Sequence, residues 1–123
     1  MNDLEIVLGV LFAHWISDFV FQNDNVAKGK SSDNLILATH VAIYTASMFI
    51  LTCFMVSGAS YKRLLGWALI NGILHFGVDF ITSRISSSLY KEGRIHEFFV
   101  CVGLDQFIHY SCLLVTLRFT LLA

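Results

Sequence analysis

The chain has 123 residues, of which 56% are apolar and 14% charged, and it contains no proline, a composition that excludes an ordinary water-soluble domain. Eight basic and nine acidic residues nearly cancel. No basic run is interleaved with aromatics and no glycine-rich phosphate loop is present, which excludes a nucleic-acid-binding surface and a nucleotide loop.

The first predicted span covers residues 4–21 and carries His14 and Asp18 inside its apolar run. Asp3 and Glu5 stand where a cleavable signal would be basic, and no small-residue cleavage site follows, so this segment is expected to stay in the mature protein. Residues 22–34 read as a polar loop with Lys28 and Lys30. A second span, 35–56, carries His40, and a short turn at 57–63 joins it in a hairpin to the third span, 64–81, which carries Asn71, His75 and Asp79. A second polar loop, serine-rich and placed at 82–97, holds Arg84, Lys91, Arg94 and His96, the last expected to face solvent. The fourth span, 98–122, carries Asp105, Gln106 and His109. Cys53, Cys101 and Cys112 lie in apolar spans without CxxC spacing and read as small buried side chains, not as a disulfide frame or zinc knuckle.

Each span approaches the roughly 20 residues that a helix needs to cross about 30 Å of hydrocarbon. The alternating pattern of barrel strands is missing, and an open strand edge would leave amides unpaired in lipid, so the spans are read as helices. The expected fold is all-α: a polytopic membrane protein whose four transmembrane helices form one compact bundle and one domain over 1–123, with a buried His/Asp cluster. Alternating directions bring both polar loops to one face, with Lys28, Lys30, Arg84, Lys91 and Arg94, against Lys62, Arg63 and Arg118 opposite. The bias of basic residues toward the cytoplasm then puts the loop face inside and both termini outside.

The polar residues within the spans repeat. His14 and Asp18 in the first span and His75 and Asp79 in the third share the pattern HxxxDF, while Asp105 and His109 reverse it in a helix that runs the other way; His40 adds a fourth helix. Positions i and i+4 share a helix face, so each pair aims two donor atoms into the same volume, at depths of about 3 to 16 Å below the loop face. Ionisable groups in a membrane cost on the order of 2.5 to 3.5 kcal/mol each, so three aspartates call for cations, protons or water. A divalent metal answers that need, and an imidazole and carboxylate set suits zinc, manganese or iron, as one ion with an outer shell or as two. Metal chemistry at this site implies hydrolysis by an activated water, with His14, Asp18, His40, His75, Asp79, Asp105 and His109 as ligand candidates and Asp18, Asp79 and Asp105 as catalytic ones.

Any one of these pairs, alone, is explained by structural hydrogen bonding; their joint occurrence at one depth favours a site. Gln22 and Asn71 read equally as outer-shell partners or as polar glue between helices. Arg84, Lys91 and Arg94 fit headgroup anchoring better than capture of a substrate phosphate. A phosphoester or lipid-linked substrate suits the basic loop face. Two rival functions stay open: a proton or divalent-cation transporter or channel, and a noncatalytic membrane protein that binds and inhibits a partner. Besides the lipid bilayer, a second copy of the chain is a candidate partner, since a bundle this small can form homo-oligomers.

The run from Asp18 through Phe19, Gln22 and Asp24 to Lys28, preceded by His14, resembles the opening motif of the bacterial and phage membrane family known as domain of unknown function 3307. His40, His75 with Asp79, and Asp105-Gln106 with His109 resemble its later motifs, so the likeness covers nearly the whole chain. That family is in turn distantly similar to inner-membrane metal-dependent hydrolases. The resemblance implies a bacterial inner-membrane location, and a phage source would add interference with a host as a role.

Overall fold

The computed structural model describes residues 1–120, all of whose regular structure is helical. Helix α1 (Asp3–Trp15) runs into a π-helical turn (Ile16–Val20); the short α2 (Asp24–Gly29) and three long helices, α3 (Asn34–Met55), α4 (Tyr61–Lys91) and α5 (Ile95–Thr120), follow. Polar residues between the spans start the helices. Asn2 and Glu5 form a reciprocal capping box on α1, Asn23 accepts from Val26 N on α2, and Asp33 accepts from Leu35 N on α3.

Helices α3, α4 and α5 are each long and apolar enough to cross a membrane. Helix α1 has 13 residues and falls short by itself. Large apolar side chains point outward along the bundle: Phe54 is 85% exposed, Ile73 75% and Phe107 67%. A water-soluble surface seldom displays so many, whereas acyl chains would cover them.

The structure corrects the second polar loop. Residues 82–91 continue α4, and the connection shrinks to Glu92–Arg94, where Gly93 adopts φ 74° and Arg94 N donates to Leu89 O across the helix end. Nothing in this stretch breaks a helix before Gly93: there is no proline or glycine, and Thr82 and Ser86 hydroxyls donate back to the carbonyls of Val78 and Ser83. His96 therefore lies in the first turn of α5 and not in a loop, though it is exposed as expected. The loop predicted at 22–34 likewise contains α2. Residues 121 and 122 of the predicted fourth span lie outside the described residues.

Helix α4 packs against α3 on one side and α5 on the other, while α1 lies mainly on α3. Where α3 and α4 cross, a methyl group added to Gly72 would run into Thr45 Oγ1, so glycine opposite threonine permits this approach. The bundle is divided by depth. Toward the connection at 56–60, Met48, Trp67, Ala68, Leu113 and Leu117 form an apolar core that also holds Thr52 and Asn71; toward α2 and the turn at 92–94 the buried polar positions are histidine, aspartate and serine.

Candidate metal centre

Five elements deliver the ionisable residues to one volume. His14 comes from α1, Asp18 from the π turn, His40 from α3, His75 and Asp79 from α4, and Asp105 and His109 from α5. A π turn widens the helix by one residue per turn and is common at functional positions; here it carries Asp18 inward, to 3% exposure. Every one of these side chains except Asp105 is buried.

Asp18, His40, His75 and Asp79 form one group of potential ligand atoms. His40 Nε2 lies 3.1 Å from Asp18 Oδ1, 3.2 Å from His75 Nε2 and 3.5 Å from Asp79 Oδ2. His75 Nε2 lies 3.4 Å from both of those carboxylate oxygens. A tetrahedral zinc held at about 2.0–2.1 Å requires ligand atoms about 3.3–3.4 Å apart, and these five edges fall on either side of that value. Hydrogen bonding alone does not account for them. Two imidazole Nε2 atoms carry at most one proton each, too few for five contacts, and the Lys30 ammonium on Asp79 offsets one of the two carboxylate charges.

Asp79 also belongs to a second group with Asp105 and His109. Its Oδ1 lies 3.1 Å from His109 Nε2, which is 3.2 Å from Asp105 Oδ1. Asp105 is oriented by Thr82, whose hydroxyl donates at 2.5 Å, and by Gln106 Nε2 at 3.0 Å. Asp79 Oδ2 is further held by Lys30 Nζ at 2.9 Å, a cation that enters from the end of α2.

His14 stands apart from both groups. Its Nδ1 pairs with Tyr44 Oη at 2.8 Å and its Nε2 with Gln106 Oε1 at 3.0 Å, leaving Asp18 at 3.6 Å. The His75 ring is fixed by stacking: Tyr44 lies over one face with centroids 4.0 Å apart and His109 at 4.1 Å. Its Nδ1 is buried with no hydrogen-bond partner among the described residues.

A cavity of about 580 Å³ opens beside Asp18, Asp79 and Asp105 and carries Lys28, Lys30 and Lys91 on its wall. Gln22 lines it too, whereas Asn71 bonds Trp67 O and Thr116 Oγ1 in the apolar half and belongs to helix packing. Of the three basic residues after the third span, only Lys91 reaches the cavity. Arg84 donates to Phe80 O and Asn34 Oδ1 and lies 3.8 Å over the Phe80 ring; Arg94 pairs with Glu97.

Sequence reading missed Lys30, Tyr44, Thr82 and Gln106 as partners of the cluster. Tyr44 and Thr82 were readable in principle, since they follow His40 by four residues and Asp79 by three on the same helix faces. Lys30 has no such signal, because it reaches the cluster from outside the long helices.

The model of one family, described as protein of unknown function (DUF3307), matches residues 6–123. No curated protein and no solved structure matches the chain.

Proposed function

The chain belongs to the DUF3307 family, and from that premise we propose that it is a metal-dependent integral membrane hydrolase acting on a phosphoester or lipid-linked substrate. The observation that carries this reading is the set of 3.1–3.5 Å edges among Asp18, His40, His75 and Asp79, next to an open cavity.

In this reading α1 and its π turn supply the fourth crossing segment of a bundle in the bacterial inner membrane, with α2 and the turn at 92–94 on the cytoplasmic side. One zinc, manganese or iron dication is held by Asp18, His40, His75 and Asp79. Charge supports a single ion: three aspartates and Lys30, with neutral histidines, leave two negative charges in the cluster. A dication at this position supplies Lewis acidity toward a phosphoryl oxygen and makes a neighbouring water more acidic.

The remaining residues then have distinct tasks. Asp105 lines the cavity, is 15% exposed at its side chain and contacts His109, so this pair accepts the proton of the attacking water and passes it toward solvent. Thr82 and Gln106 keep its carboxylate facing His109. His14 is a positioning residue that holds Tyr44 against His75 and Gln106 against Asp105. The layer of Met48, Trp67, Leu113 and Leu117 also holds Thr52 and Asn71 but, among the described residues, no buried acid, lysine, arginine or histidine, which favours hydrolysis over transport.

The test is elemental analysis of the detergent-purified protein, followed by a phosphoester screen. The expected result is one ion per chain and product formation abolished by His75→Ala. A folded wild-type protein that neither contains nor takes up a metal would overturn the reading, and a co-purifying partner with activity indifferent to chelators would favour the inhibitor role.

A further inference from the structure

The cavity beside the cluster has a mixed lining. Lys28, Lys30 and Lys91 are among its residues, and the acids that line it among the described residues are Asp18, Asp79 and Asp105. Three lysines and three aspartates cancel, so a dication among the aspartates leaves two uncompensated positive charges. The cavity then lacks a dianion. One polar atom points to the same need: Ser83 Oγ belongs to a cavity-lining residue, is buried, and has no hydrogen-bond partner among the described residues, so its hydroxyl is free to donate to an anion.

The rest of the lining includes apolar residues, Phe19 from the π turn and Phe98 and Val102 from α5. A water-soluble phosphate ester has no use for such a lining, whereas an acyl chain packs against it.

We propose that this cavity is the headgroup site for a lipid phosphomonoester, with the phosphate held by Lys28, Lys30, Lys91 and Ser83 and the chains leaving past Phe19, Phe98 and Val102. The charge balance rests on the metal-dependent reading above. With the dication in place, Asp79 Oδ2 no longer needs the Lys30 ammonium, and Lys30 turns from that carboxylate to the phosphate. A zwitterionic headgroup fits worse, since it would bring its own cation among the lysines.

Calorimetric titration of the metal-loaded protein in detergent tests this with three probes: a short-chain phosphonate analogue of a lipid phosphomonoester, a short-chain phosphatidylcholine, and inorganic phosphate. The analogue is expected to bind at least about tenfold more tightly than either of the others, and Lys28→Ala with Lys91→Ala to weaken it by about tenfold or more. Both lysines are exposed, so the double variant should fold, and its metal content should stay that of the wild type. Inorganic phosphate binding as tightly as the analogue would overturn the lipid assignment, and unchanged affinity in the double variant would overturn the lysine subsite. Analogue binding by a wild type that takes up no metal would sink the hydrolase reading while sustaining this site.

Discussion

Asparagine at position 79 keeps the shape of the aspartate and removes one charge at the point where the two groups of candidate ligands meet. The cluster's charge falls from two negative to one, and the carboxylate oxygen shared by His40, His75 and Lys30 becomes part of a neutral amide. Substitutions that only support a metal ligand weaken binding about 10–100-fold. Loss of a ligand itself should exceed that range, so Asp79→Asn is expected to weaken metal binding by more than about 100-fold, about 2.7 kcal/mol. Lys30, left without its carboxylate, can withdraw into the adjoining cavity, which lets the variant fold. The assay is metal content per chain after dialysis against a weak chelator, with helicity and thermal melting as the check on folding. Asp105→Asn provides the contrast: it should keep the ion and lose hydrolysis. A folded Asp79→Asn protein with wild-type metal content would refute the argument, and two ions in the wild type falling to one in Asp105→Asn would make Asp105 a ligand instead of the proton acceptor.

Three further outcomes are expected. Gly72→Ala should destabilise the protein by about 1–3 kcal/mol in a denaturation titration, because the new methyl meets Thr45 Oγ1, and Thr45→Ala in the same chain should recover most of the loss. Tyr44→Phe leaves the buried His14 Nδ1 without its 2.8 Å partner and should cost about 1–3 kcal/mol in the same titration, with metal retained. With the native cysteines replaced, a membrane-impermeant thiol reagent added to intact cells should label Ser57→Cys and spare His96→Cys; the reverse pattern would invert the orientation.

Much of the site was legible because helical spacing is a local property. His75 and Asp79, or Asp105 and His109, share a face whatever surrounds them, and isoleucine- and leucine-rich flanks mark the helices that carry them. The same reasoning misjudged residues 82–91. Polarity there was read as a loop, although it is one half of a helix end that lines a cavity, and polarity alone does not distinguish the two.

By itself, then, the amino-acid order determined an apolar, all-helical chain, which side chains carry chemistry, and that they lie at one depth, since composition, period and rise per residue need no knowledge of neighbours. Only the tertiary structure decided who touches whom. It brought candidate ligand atoms of Asp18, His40, His75 and Asp79 within 4.8 Å of one another, turned His14 toward Tyr44 and Gln106, and brought Lys30 to Asp79 from 49 residues away. Those choices depend on helix rotation and on the packing of α4 between α3 and α5, quantities that a single helix's pattern does not contain.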